Sequence, residues 1–150
     1  MASSPPVAVR SSATGIDSNL LKVGLNADGS IEVPTTYSQA AWYSLGPTPG
    51  ALGPAVIIGH VDSYRGPGVF FNLGATRPGQ MIAVTRADGT TANFRVDAVN
   101  SYTKDQFPTD TVYGPINYAG LRLITCGGTF DKQTRSYDNN TVVFASLVHP

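Results

Sequence analysis

Nowhere in this chain does a helical period of apolar residues last three turns, and that limits the possible folds more than any other feature. Sixteen glycines and eleven prolines cut it into short runs rich in Val, Ile, Thr and aromatic residues. Such residues fit half-buried positions on a pleated sheet. Runs bounded by turn residues predict strands at Val7–Ser11, Leu21–Leu25, Ser30–Val33, Ala55–Val61, Met81–Arg86, Thr91–Val96, Val99–Thr103, Leu121–Thr125 and Thr141–Leu147. Nine short runs in 150 residues predict an all-β domain, a barrel or a sandwich.

Two tight hairpins are expected where Asp28-Gly29 and Asp88-Gly89 separate extended segments, because such turns need a positive φ that glycine adopts freely. Short helical turns are predicted at Ile16–Leu20, Val69–Leu73 and Thr109–Tyr113, the last just after Pro108, with a further turn at Ser38–Tyr43. Two long irregular stretches remain, one after the run at 55–61 and one ahead of the run at 121–125. Long loops are uncommon in compact domains and are often functional.

Charge and cysteine content remove several functions. Ten basic and ten acidic side chains cancel, which leaves no broad positive field for nucleic acid or anionic lipid. One cysteine cannot form an internal disulfide, and with two histidines at distant positions it supplies no zinc-ligand pattern. The carboxylates are scattered, so no essential metal or other cofactor is expected. The longest apolar run, TVVFASLV, falls well short of the roughly 18 residues of a membrane span. Residues 1–6 read as a flexible lead-in to a domain over 7–150; an export signal or membrane anchor is expected upstream of this chain.

Two titratable groups stand at the ends of apolar runs beside glycine: Cys126 in LITCGG and His60 in VIIGHV. Read alone, each also fits a structural role, a cysteine as a small core hydrophobe and a histidine as a hydrogen-bonded strand end. Together they suggest nucleophilic chemistry. At pH 7 an unperturbed thiol is only about 3% thiolate and an unperturbed imidazole roughly a quarter protonated. Under about 1% of molecules would hold both charged forms, so a cysteine nucleophile needs an adjacent imidazolium or another source of positive charge to stabilise its thiolate. A third candidate is Arg135, the only arginine after Cys126, whose guanidinium fork suits a substrate carbonyl or an oxyanion.

The segments LITCGGTFD, VIIGHVDS, GPGVFFNL and YDNNTVVFASL resemble the sortases, most nearly the class F group of actinobacterial enzymes, and the resemblance spans about Val7 to Leu147. It implies a closed eight-stranded β-barrel and a cell-surface cysteine transpeptidase. Such an enzyme would cut a Leu-Pro-X-Thr-Gly-type sorting signal between Thr and Gly. It would form a thioacyl intermediate and pass the acyl group to an amine of a peptidoglycan precursor or another protein. Carried over motif by motif, Cys126 would be the nucleophile, His60 the general acid and later base, and Arg135 the oxyanion and substrate clamp. Thr125 would bind substrate or shape the oxyanion site, and Tyr113 and Tyr118, with Phe107, would wall the peptide groove.

Other functions compete. An L,D-transpeptidase or another cysteine hydrolase would also use Cys126, although Ile124-Thr125 in place of a Ser-His-Gly lead-in disfavours the former. A non-catalytic β-barrel binding module with a buried thiol is the reading from a different class.

Overall fold

The computed structural model describes residues 1–63, 66–131 and 136–148, with only the backbone course for 63, 126–131 and 136–138. Ten strands occur among these residues: β1 (Pro6–Ser11), β2 (Ile16–Val23), β3 (Ala40–Tyr43), β4 (Gly53–Ile58), β5 (Asp62–Ser63), β6 (Gly66–Pro67), β7 (Met81–Arg86), β8 (Thr91–Thr103), β9 (Ala119–Asp131) and β10 (Ser136–Leu147). Eight of them close into a barrel in the order β1-β2-β3-β4-β9-β10-β8-β7, and β5 and β6 form a separate two-stranded ribbon. The closed eight-stranded all-β fold is thus as expected. Neighbouring barrel strands are antiparallel except β2 with β3 and β4 with β9, which are parallel.

Strand alternation sorts the side chains. On β8, Ala92, Phe94 and Val96 are buried while Thr91, Asn93 and Arg95 are exposed, the period of two that lets one face line a core. Val9, Ile57, Phe94 and Leu121 belong to the main core inside the barrel. Strand β4 is buried on both faces: Ala55 and Ile57 join that core, whereas Val56 joins a second cluster with Val112, Ile124 and Val142. The cover over this second face is the segment after β8, which includes α1 (Thr109–Tyr113). Helix α1 starts directly after Pro108, whose missing N–H leaves no donor unsatisfied there.

Both Asp-Gly turns form as expected, with Gly29 and Gly89 each at φ +87°. The Asp28 carboxylate accepts from Ser30 N–H and Oγ, and Asp88 accepts in the same way from Thr90, which holds both carboxyls below the usual range.

Several expected elements differ. Ile16–Leu20 belongs to strand β2 and is no helical turn. The inward-facing polar Ser18 masks the alternation: its hydroxyl accepts from Ala40 N–H (3.0 Å) and donates to Asn19 O (2.6 Å). Ser38–Tyr43 contributes strand β3, which lies parallel to β2 and therefore has no turn-linked partner to reveal it. Ser30–Val33 forms only an isolated bridge, Leu25 with Ile31. The runs at 91–96 and 99–103 are one strand, interrupted by a register shift at Asp97. The turn expected at Val69–Leu73 does form, closed by Phe71 N–H to Gly68 O (3.1 Å) and Leu73 N–H to Phe70 O (3.0 Å), and a 3-10 turn over Leu73–Ala75 continues from its last residue. The opening residues, expected as a lead-in, lie against the barrel: Ser4 is buried, Arg86 donates to Ala2 O, and Pro6 opens β1.

Candidate active site

Strand β4 runs beside β9 from Gly53 opposite Ala119 to Ile58 opposite Ile124. The offset is constant at 66 positions (124 − 58), and the same 66 separates His60 from Cys126 (126 − 60). Gly59 N–H still donates to Ile124 O at 3.1 Å, which carries the pairing one step past Ile58 before the chain turns away. The fold thereby delivers the backbones of residues 60 and 126 to the same end of adjacent parallel strands. On its other side, β9 pairs Cys126 with Asn140 of β10.

Close packing of the segment at 68–70 holds the His60 corner. Phe70 N–H donates to His60 O (3.0 Å), and Gly68 N–H to Val61 O (2.9 Å). A Cβ on Gly68 would stand 2.4 Å from His60 O, and a Cβ on Gly59 would stand 2.7 Å from both Phe70 and Val69. Both glycines are needed for close approach, which explains part of the GPGVFF and IIGH motifs. The half-buried imidazole places Nε2 2.7 Å from Pro34 O, and its ring meets Tyr37 edge-on at 6.4 Å between centroids.

Beside this corner lies the second apolar cluster. Ile58 and Ile124, each two residues before His60 and Cys126, pack in it with Tyr43, Tyr102, Phe107 and Tyr113. Tyr113 sits 6.0 Å from Phe107, and burial, with a smaller contribution from Tyr43, pushes its phenol up to about 12. Thr125 is 3% exposed, shares the inward strand face of the core residues Leu121 and Leu123, and has no partner for its buried Oγ1 among the described residues. Tyr118 lies eight residues before Cys126, about 26 Å along the strand. Its hydroxyl accepts from Arg122 Nη2 at 3.4 Å, and its carbonyl accepts from Gly53 N–H. The structure therefore gathers His60, residue 126, Thr125 and the Tyr113 cluster at one end of β9 and leaves Tyr118 at the other. Arg135 and His149 lie outside the described residues; β10 begins at Ser136, the position after Arg135. Among the described residues, no three His, Cys, Asp or Glu side chains cluster in a way that would hold a metal ion.

The sequence profile of the sortase domain matches residues 12–148. The chain belongs to the sortase family. Sortases are cysteine transpeptidases associated with the cell surface, and this chain is an enzyme of that kind. Sortase A from Corynebacterium diphtheriae, a lid mutant, aligns with a TM-score of 0.75 at 21% identity, over 99% of this chain and 73% of that one. Sortase C-1 from Actinomyces oris gives 0.76 at 17% identity over 97% and 76%. A Clostridium perfringens sortase D5 transpeptidase gives 0.71 at 16% over 97% and 79%. At such identities the structural likeness speaks for the fold. Comparison with curated proteins returned no match. Among the described residues no helix is long and apolar enough to cross a membrane.

Reading the sequence as a sortase missed three residues. Pro34 carries no signal, since its contact with His60 is made by a backbone carbonyl. Gly68 sits in the GPGVFF motif, yet only the fold shows what it approaches. Arg122, 2% exposed, looks like an outward strand cation but lies beneath the loop before β9. Its Nε donates to Val112 O (3.3 Å), and its guanidinium stacks 4.8 Å from the Phe144 ring.

Proposed function

We propose that this sortase cleaves a Leu-Pro-X-Thr-Gly-type sorting signal between Thr and Gly and transfers the acyl group to an amine of a peptidoglycan precursor or another protein. The reading is carried by the shared 66-residue offset of the β4–β9 register and the His60–Cys126 spacing. Cys126 attacks the Thr carbonyl as a thiolate, the C–N bond breaks as His60 protonates the leaving glycine amine, and a thioacyl-enzyme remains. The acceptor amine then forms a new C–N bond, gives its proton back to His60, and releases the thiolate. Arg135 steadies the oxyanion and the peptide carbonyls through its donor fork. With its hydroxyl sealed inside the barrel, Thr125 serves by backbone and shape. Tyr113 and Phe107 wall the groove, and Tyr118, at the far end of β9, anchors the loop that carries them.

Within the family we assign the chain to class F, on LITCGGTFD and GPGVFFNL. We place its work at the outer face of the cell membrane, held there by a segment upstream of this chain, as the family's surface association suggests. A single-turnover assay with a quenched sorting peptide, with and without an amine, tests the reaction. Product bearing the amine is expected; cleavage indifferent to the amine identifies a hydrolase instead.

A further inference from the structure

The loop from 24 to 39, between β2 and β3, has one buried residue, Pro34, with exposed Val33 and Thr35 on either side. Its carbonyl is 2.7 Å from His60 Nε2. A backbone carbonyl can only accept, so the hydrogen between them belongs to Nε2. In neutral imidazole Nδ1 then carries the lone pair, and among the described residues no group bonds it. The loop is itself tied down. Val69 N–H donates to Tyr37 O at 2.7 Å, Gly24 N–H donates to Glu32 Oε1 at 2.8 Å, and Glu32 N–H donates to Gly24 O at 2.9 Å. Tyr37 meets the imidazole edge-on at an interplanar angle of 78°, so the ring is held from two directions by one loop.

We propose that the Pro34 carbonyl is a positioning group for catalysis: it holds His60 through Nε2–H and thereby makes Nδ1 the nitrogen that handles the proton. As the scissile C–N bond breaks, Nδ1–H of the imidazolium gives its proton to the departing amine, leaving neutral imidazole with Nε2–H still bonded to the loop. When the acceptor amine forms its C–N bond and the C–S bond breaks, Nδ1 takes the amine proton and the imidazolium–thiolate couple is restored. Nε2 keeps its hydrogen throughout, and the loop carbonyl stabilises the cation each time it forms. The proposal rests on the reading of His60 as proton carrier.

The test is nuclear magnetic resonance on the full chain labelled with 15N in histidine, recorded above the histidine titration. The expected result is a protonated Nε2 and an unprotonated Nδ1 on His60. The Nε2 proton is expected to be visible, to show a nuclear Overhauser effect to Pro34, and to exchange at least tenfold faster in Pro34→Gly. A proton on Nδ1, an average of both tautomers, or no Overhauser contact in the wild type overturns the proposal without recourse to the variant. So does unchanged exchange in a folded Pro34→Gly. Turnover of His60→Ala, measured alongside, separates the two ideas: an active His60→Ala with the expected tautomer retires His60 as proton carrier while the hydrogen bond to the loop stands.

Discussion

Gly68→Ala puts one methyl group where the His60 backbone already is. Its Cβ would be built 2.4 Å from His60 O, 2.8 Å from His60 C and 3.1 Å from Val61 C, all backbone atoms that no rotamer change can move. Ordinary contact begins near 3.4 Å, so the corner carrying the imidazole must retreat by about 1 Å or the 68–70 segment must lift away. Overpacking of this kind costs about 1–3 kcal/mol. At roughly 2–4 °C per kcal/mol for a chain this size, the melting temperature is expected to fall by roughly 2–12 °C, leaving a folded barrel. The catalytic effect is expected to be much larger, because a misplacement of about 1 Å in a reacting group can cost on the order of a hundredfold in rate. Turnover of a quenched sorting peptide with a glycine acceptor, read beside a thermal melt, tests the reasoning. Gly74→Ala is the control, since its Cβ would meet nothing within 4 Å. Gly68→Ala activity within about threefold of wild type would refute the claim that this contact sets the His60 position.

Cys126→Ala and His60→Ala are each expected to lower turnover by at least about a thousandfold with unchanged circular dichroism, and Arg135→Lys to lose much of the rate because the planar fork is gone. Arg122→Met strips the donors that hold Val112 O and the Tyr118 hydroxyl but keeps an apolar stem under α1. With the groove-side loop loosened, peptide KM is expected to rise about five- to tenfold at nearly constant kcat, equivalent to roughly 1–1.4 kcal/mol; a change confined to kcat would disprove the positioning role. Tyr113, with its phenol raised to about 12, keeps its proton when folded in a range where the unfolded chain, titrating near 10, loses it. Stability is intact below pH 10 and falls as pH climbs from 10 to 12, by about 1–2 kcal/mol after allowance for partial exposure. Urea unfolding at pH 9 and 11.5 should show that loss shrinking in Tyr113→Phe.

Residue type and spacing alone were enough to show a strand-rich chain, both Asp-Gly turns, the helical turn at Thr109–Tyr113, and a cysteine and a histidine each ending an apolar run. Those features depend on local backbone preferences and on the two-residue side-chain period, which short stretches carry within themselves. The strand character of Ile16–Val23 and Ala40–Tyr43 was not legible, because Ser18 faces inward and β3 pairs in parallel with a strand it does not follow by a turn. The decisive fact about the site was likewise beyond local reading. Parallel pairing joins β4 to β9 by backbone hydrogen bonds that are blind to side-chain identity, so their 66-residue offset is selected by how the whole barrel buries its core. The Pro34 carbonyl at His60 and the close approach of Gly68 follow from that same closure. Local chemistry therefore singled out the candidate cysteine and histidine, and only the closed barrel decided that their backbones reach the same end of adjacent strands and that the Pro34 carbonyl meets the imidazole at Nε2.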